Sequence, residues 1–465
     1  MVNGTDVDVQ AIVHRVLEQL RSAAPQVCCG DGVFADVEGA VSAAAIAQKK
    51  LLNLGLEKRA ELIEGMRAAA VDNAPLFARL AVEETGMGRY EDKLTKNIKS
   101  ALKTPGLEDI EPTVFSGDHG LTLVERLPFG VAGCITPSTN PTETIINNGI
   151  GMVAAGNTVV FSVHPGAQNV SLKAVQLLNK AIVAAGGPQN VLTSFAEPTI
   201  QKVNELMNHP QVDLLVATGG PGVVKAVLSS GKKAIGAGPG NPPVIVDETA
   251  DIPKAARDIV AGASFDNNIP CNGEKEVFVI ESVADSLIAN MVENGAYLLK
   301  DKAAIDKLVK LVTTEEGHVN KDYVGKDATL ILAEIGIKDS AETRVIIFET
   351  SADHPLVVEE FLMPILPIVR VRDVTEAIEL AVCVEGARKH TAVIHSKNVD
   401  NMTRFAQAIK TTIFVKNGPS FAGVGVGGEG FITMTIAGPT GEGLTSARSF
   451  TRAQRCVLVG GFNLR

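Results

Sequence analysis

Between residues 131 and 237 the chain alternates short apolar runs with longer stretches of helical periodicity. The runs are "GVAGCIT", "NTVVFS", "NVLTSF", "VDLLVAT" and "KKAIGA"; between them lie "PTETIINNGIGMVAAG", "AQNVSLKAVQLLNKAIVAAG", "PTIQKVNELMNHP" and "GVVKAVLSSG". Repeated β-α units with strands of about five apolar residues imply a doubly wound parallel sheet with helices on both faces. This is the strongest constraint in the sequence, and it sets the fold class as α/β. Such sheets bind ligands at the carboxyl ends of their strands. Those ends carry Thr136-Pro137-Ser138, His164-Pro165-Gly166, the "EPT" of 197–199, and Gly219-Gly220 within "TGGPG".

The flanking segments follow other patterns. Residues 34–110 read as three or four amphipathic helices, among them "YEDKLTKNIKSALKT". A second α/β unit opens at "PPVIVDETA", continues through a helix over 252–263 and the strand "EVFVIE", and runs on through "ILPIVRV", "TEAIELAVCV", "TAVIHS" and "TTIFVKN". The last forty residues or so are Gly-rich and then β-rich. At the other end Val9, Ile12, Val13, Val16, Leu17 and Leu20 form one narrow apolar face over residues 1–21, followed by a small-residue, Pro/Gly linker over 22–33. Such a stripe must dock on its own body or on a partner groove. Asp6, Asp8, Glu18 and Arg21 exclude a secretory signal.

Composition removes several classes of function. A length of 465 residues accommodates two or three domains. The net charge of −10, without a basic-aromatic stripe, argues against a nucleic-acid partner. No apolar run approaches the roughly 20 residues that span a bilayer, so no membrane partner is expected. The six cysteines, at 28, 29, 134, 271, 383 and 456, have neither disulfide-framework nor zinc spacing. That usage fits a reducing cytosol and no metal. Gly425-Val-Gly427-Gly428-Glu429-Gly430 satisfies GxGxxG, but a β-leaning stretch follows where a dinucleotide fingerprint opens a helix, so a tight loop is expected.

Cys271 stands apart from the other thiols. It lies in "ASFDNNIPCNGEKEVFVI" (263–280), in a loop between a helix and a strand and off any periodic apolar face. Asn267, Asn268 and Asn272 flank it with amides, and Pro270 restrains the approach. Loop placement of this kind marks site residues, and spacing alone leaves nucleophile and buried filler both open. Cys134 and Cys383 fall within apolar runs and are expected in the core; Cys28 and Cys29 sit in the linker.

The Cys271 loop, "TPSTNPTETIINN", "TGGPG", "GAGPGNPP", "EEFLMPILPIV", "IFVKNGPS" and "GVGGEGF…PTGEG…SARSFTR" occur in one order. Together they closely resemble the CoA-acylating aldehyde dehydrogenases of bacterial microcompartments, the PduP- and EutE-like enzymes, from about residue 34 to 465. The resemblance implies an aldehyde dehydrogenase-like fold. It has an NAD-binding Rossmann-type domain over 34–240, a catalytic α/β domain over 241–430 and a C-terminal segment over 431–465. A β oligomerisation arm, including a strand near 119–130, makes a homodimer or tetramer. Residues 1–21 resemble an encapsulation helix that binds a shell protein, placing the protein in the cytoplasm, in a microcompartment lumen.

The same resemblance assigns roles. Cys271 is the thiol that attacks the aldehyde. Asn140 is the side-chain donor to the oxyanion, although its place before Pro141 equally fits a helix cap. Glu360 and Leu362 match the site for the nicotinamide ribose, with Leu362 where the family has Phe. His164 stands where hydrolytic relatives have a lysine for the adenosine ribose, and Gly219, Gly220 and Gly238 line the cofactor groove beside Thr136–Gly166. The stretch "GAGPGNPP" (236–243) carries no carboxylate where the hydrolytic branch holds its base for water. Release of the acyl group to CoA, a thiol nucleophile, follows from that departure. Glu274 and Glu360 are the other carboxylates near enough in sequence to consider, with Glu274 expected at the exposed edge of a strand. The expected activity is therefore NAD-dependent, CoA-acylating oxidation of a short aldehyde, propionaldehyde or acetaldehyde. The alternatives are a hydrolytic dehydrogenase and a catalytically silent cargo protein that binds shell.

Overall fold

A computed structural model describes residues 30–339 and 342–462. The helix expected over 1–21 and the cysteines at 28 and 29 lie outside these residues. The first sheet is built from β1 (Val33–Phe34), β4 (Val131–Ile135), β5 (Thr158–Ser162), β6 (Leu192–Phe195), β7 (Leu214–Thr218) and β8 (Lys233–Ala237), with β2 (Thr113–Gly117) and β3 (Gly120–Pro128) looping out between β1 and β4. Its order is β1-β6-β5-β4-β7-β8, parallel throughout. Successive residues face opposite sides. Val159, Phe161, Leu214 and Val216 pack into one core, while Val160, Leu215 and Ala217 pack into another. The helix Pro141–Ala155 is buried along its whole length. Pro141 at its first position supplies a preset φ, and Gly156 at φ +84° closes it in the left-handed region.

The second sheet contains β9 (Pro243–Val246), β10 (Glu276–Ile280), β11 (Ala296–Leu298), β12 (Val345–Glu349), β13 (Ile365–Val371), β14 (Thr391–His395) and β15 (Ile413–Lys416). Its order is β11-β12-β13-β10-β9-β14-β15, again all parallel. Val244, Val277 and Val279 face one core, Ile245, Phe278 and Ile280 the other. The short pair β16 (Ile436–Ala437) and β17 (Gly443–Leu444) is antiparallel. It is tied to the first sheet by a Thr218–Thr435 hydroxyl contact of 2.8 Å.

The closing strand β18 (Thr451–Val459) pairs with β3 along its whole length, and β2 covers the other edge of β3. Val114, Phe115, Val457 and Val459 are each more than half exposed on this antiparallel ribbon. These apolar side chains lie on the two outer strands of the ribbon. β2 was not anticipated from the sequence, where its five residues lie between Pro112 and the turn at Gly117. Cys134 is buried in β4 as expected. Cys383 is not. It lies on the solvent side of the helix Val374–Glu385, whose buried face runs through Val374, Ala377, Ile378, Ala381 and Val384. Among the described residues, no helix is long and apolar enough to cross a membrane.

Candidate active site

The Cys271 loop begins where the helix Ile252–Ser264 ends. Asp266, Asn267 and Asn268 then follow one another at φ +48°, +54° and +60°. Left-handed backbone is costly for most side chains and least so for Asn and Asp, which explains the residue types in this turn. Each is anchored away from the thiol. Asn267 donates to the Gly325 carbonyl and Asp327, both at 2.9 Å; Asn268 donates to the Glu274 carbonyl at 2.9 Å; Asn272 donates to the Ser420 carbonyl at 3.3 Å. The amides thus shape the loop and do not point donors at the sulfur. Glu274, expected on an exposed edge, is fully buried before β10. Its two oxygens accept from the Ser420 amide and hydroxyl, both at 2.7 Å, and burial pushes its carboxyl up to about 7.

Cys271 and Asn140 line one narrow cavity of about 40 Å³, walled by Phe265, Phe421, Val426, Ile432 and Met434. Asn140 occupies the N-cap position of Pro141–Ala155, where its carbonyl accepts from Thr144 but its side chain makes no bond to the helix. Its Oδ1 instead accepts from Lys96 Nζ at 2.6 Å, and its Nδ2 donates to Thr139 Oγ1 at 3.2 Å. Lys96 belongs to the helix Tyr90–Lys103, whose buried face is polar: Lys93, Lys96, Asn97 and Ser100, while Leu102 is exposed. Asp266 pairs with both lysines, at 3.2 Å from Lys93 and 2.5 Å from Lys96, and Glu143, 3.3 Å from Lys96, supplies the second negative charge. Buried charges persist only when paired in this way.

Around the thiol the second sheet presents the amino ends of its central strands. Gly240 precedes β9, Cys271 and Lys275 precede β10, Glu360 precedes β13, and His390 precedes β14; these four strands are neighbours in the order β13-β10-β9-β14. A Cβ on Gly240 would fall 2.3 Å from the Cys271 carbonyl and 3.0 Å from the His390 ring, so only glycine fits. The Gly240 amide donates to Glu360 Oε1 at 3.4 Å. Burial pushes the Cys271 thiol up to about 12, and the Glu360 carboxylate adds to the effect; Lys275 and Lys96 oppose it. Burial likewise raises Glu360 to about 7 against the pull of Lys275. His390 is driven down to about 3 by burial and by Lys275, so its ring is neutral. The Lys275 ammonium is held by Asn268 Oδ1 at 2.9 Å and by the Asn268 carbonyl at 2.8 Å.

The first sheet contributes its carboxyl edge. Strand order reverses between β4 and β7, and the crevice at such a reversal is where doubly wound sheets take ligands. Thr136-Pro137-Ser138 leave β4 there and Gly219-Gly220 leave β7. His164-Pro165-Gly166 leave the adjacent β5, with the exposed His164 ring accepting from the Gly166 amide at 3.0 Å. The residues fit a dinucleotide on three counts. Thr136 Oγ1 and Ser162 Oγ are buried with no protein partner among the described residues. Gly220 and Gly222 have open space where a Cβ would stand. Gly220 opens the helix Pro221–Leu228, and a helix N-terminus beside open space suits a pyrophosphate. Gly238 is similarly open. Leu362, at φ +54°, lines a small recess with Lys275, Glu359 and Met363.

Residues 25–430 match the Aldehyde dehydrogenase family. The chain belongs to that family. It is 50% identical over 464 residues to the acetylating acetaldehyde dehydrogenase EutE of Escherichia coli, covering 98% of this chain and 99% of the relative. Among solved structures it is similar to the propionaldehyde dehydrogenase of Rhodopseudomonas palustris with bound CoA and an acylated cysteine. That likeness has a TM-score of 0.93 and 55% identity, over 94% of this chain and 100% of the other. It is also similar to a propionaldehyde dehydrogenase from the fucose utilisation microcompartment of Clostridium phytofermentans, with a TM-score of 0.92 and 52% identity over 94% and 100%. This is an aldehyde dehydrogenase fold, and the polar helix face, Lys275 and His390 lie around the candidate site without having been singled out from the sequence. The signal for the first was present: Lys93, Lys96, Asn97 and Ser100 recur at the i, i+3, i+4, i+7 spacing of one helix face.

Proposed function

We propose that this aldehyde dehydrogenase oxidises a short-chain aldehyde, propionaldehyde or acetaldehyde, with NAD and CoA to give acyl-CoA and NADH. The observation that carries the reading is the shared cavity of Cys271 and Asn140, with the carboxylate-free stretch 236–243 packed directly against the Cys271 peptide. Its apolar walls and small volume suit an aldehyde of few carbons. Similarity to acylating acetaldehyde and propionaldehyde dehydrogenases supports the same conclusion.

The chemistry follows from these groups. Cys271 Sγ loses its proton to solvent and forms a bond to the carbonyl carbon, and negative charge develops on the oxygen. Asn140 Nδ2 and the Cys271 backbone N–H receive that charge as fixed donors. Bound NAD would supply the hydride acceptor, and loss of hydride from the former carbonyl carbon leaves a thioester on Cys271. With no base aimed at water from 236–243, the thioester waits for the CoA thiol. Sulfur of CoA then bonds to the acyl carbon, and Cys271 leaves as the thiolate. Glu360, the carboxylate tied to the Gly240 amide, accepts the nicotinamide ribose hydroxyls. CoA carries its own adenosine pyrophosphate and enters the same groove once NADH has left; simultaneous binding of both to the acyl-enzyme would disprove that order.

Assembly completes the reading. The apolar ribbon of β2, β3 and β18 joins copies into a homodimer or tetramer. The amphipathic pattern of residues 1–21 docks on a shell protein and holds the enzyme in a microcompartment lumen, where a volatile aldehyde stays confined. Two experiments test this function. Sustained NADH formation from propionaldehyde should require CoA; sustained turnover without CoA would show that water resolves the thioester. Deletion of residues 1–21 should leave turnover intact and abolish packaging.

A further inference from the structure

We infer that Lys96 is a positioning residue of the oxyanion site. It fixes the Asn140 carboxamide with Nδ2 toward the Cys271 cavity and polarises it there. A lysine ammonium has three N–H donors and no acceptor. One is donated to Asn140 Oδ1 at 2.6 Å, and the ammonium is flanked by two carboxylates as ion pairs, Asp266 Oδ2 at 2.5 Å and Glu143 Oε1 at 3.3 Å. The partners sit at the start of one buried helix, inside that helix, and in the left-handed turn before Cys271. An ammonium held from three sides, on a side chain 3% exposed, has no alternative position.

The consequence for Asn140 is directional. A carboxamide offers an acceptor at one end and a donor at the other, and nothing in its own shape decides between its two orientations. Because Lys96 only donates, Oδ1 must face it and Nδ2 must turn away. One Nδ2 hydrogen goes to Thr139 Oγ1, leaving the second without a protein partner among the described residues, on the residue that lines the thiol cavity. A charge-assisted bond at the oxygen also draws electron density along the amide and strengthens the remaining N–H as a donor. Lys93 shows what a purely fold-holding lysine does in the same cluster. It binds Asp266 and the Thr139 carbonyl, has no contact with Asn140, and does not line the cavity.

This inference rests on Asn140 as the oxyanion donor, so the test separates the two claims. The variants are Lys96→Gln with Glu143→Gln, which keeps the cluster neutral and leaves the Lys93–Asp266 pair, then Glu143→Gln alone, Asn140→Ala, and the triple combination. The readouts are kcat, KM for propionaldehyde, the rate of Cys271 alkylation by iodoacetamide, and thermal unfolding. K96Q/E143Q should lower kcat by about 10²-fold, the scale of losing an oxyanion donor, with KM and alkylation changed by less than about threefold. E143Q, which keeps the Lys96–Asn140 bond, should lose less. Adding K96Q/E143Q to N140A should cost almost nothing more. An undiminished kcat in K96Q/E143Q, an equal further loss on the N140A background, or alkylation falling in step with kcat would overturn the inference. If N140A itself keeps full kcat, the oxyanion reading fails first, and this one with it. Should K96Q/E143Q not fold, Lys96→Met with Glu143→Gln, in which methionine fills the volume of the lysine stem, takes its place with the same expected outcomes.

Discussion

The two parallel sheets reach the candidate site with opposite edges. The six-stranded sheet offers the carboxyl ends of β4, β5 and β7, where two glycines have room around them and two buried hydroxyls have no protein partner among the described residues. The seven-stranded sheet offers the amino ends of β9, β10, β13 and β14, where a thiol, a lysine, a carboxyl and an imidazole are packed together. One edge is built to receive a ligand that comes and goes. The other is built to hold charge and sulfur in a dry environment, where each group depends on its neighbours. Substitutions at the packed edge should therefore cost far more than similar ones at the open edge.

The sharpest break in that comparison comes from Cys271→Ala, which should lower kcat by about 10⁴-fold or more, as loss of a nucleophile does elsewhere. NAD binding, followed by fluorescence or calorimetry, should survive, because the open edge is untouched. Next is Gly240→Ala. With its Cβ 2.3 Å from the Cys271 carbonyl, the loop must move. The expected cost is about 1–3 kcal/mol of stability from overpacking, and about 10²-fold in kcat from displacing the thiol; thermal unfolding and steady-state kinetics check both.

Glu360→Gln bridges the two edges and should have an intermediate effect. Loss of charge-assisted bonds to the ribose should weaken NAD binding roughly 10–100-fold. It also removes a negative charge that raises the Cys271 thiol. The sign is definite: alkylation of Cys271 accelerates as pH rises toward the thiol's value of about 12, and the Gln variant should shift that profile to lower pH. The smallest effect belongs to Gly220→Ala, at an ordinary φ of −65° with no atom within 4 Å of the new Cβ. It should fold normally and raise KM for NAD by only about twofold, within the few tenths of a kcal/mol typical of a surface change. A loss as large as that of Gly240→Ala would erase the distinction between the edges.

The open edge was the legible one. Strand-helix alternation placed Thr136–Ser138, His164–Gly166 and Gly219–Gly220 at strand ends before any coordinates, because the rule for doubly wound sheets needs only strand positions. At the packed edge, loop placement singled out Cys271, but the residues around it come from four separate strand starts, and nothing local in the chain announces that they converge. Lys96 sits in a segment read from the sequence only as an amphipathic helix. Its partners Asn140 and Asp266 are far along the chain, and only tertiary packing turns the polar side of that helix inward. Glu274 misled for a related reason: a carboxylate beside a strand is usually solvated, and here Ser420, more than a hundred residues away, satisfies it in the interior. Cys383 misled because an apolar run does not reveal which side of its helix faces solvent.

The most direct test of acyl transfer is the fate of the thioester itself. The protein, incubated with propionaldehyde and NAD but no CoA, is analysed by intact-protein and peptide mass spectrometry. The account predicts a near-stoichiometric propionyl adduct on Cys271 that persists without CoA and is discharged as propionyl-CoA when CoA is added. Absence of the adduct together with steady accumulation of propionate would contradict it.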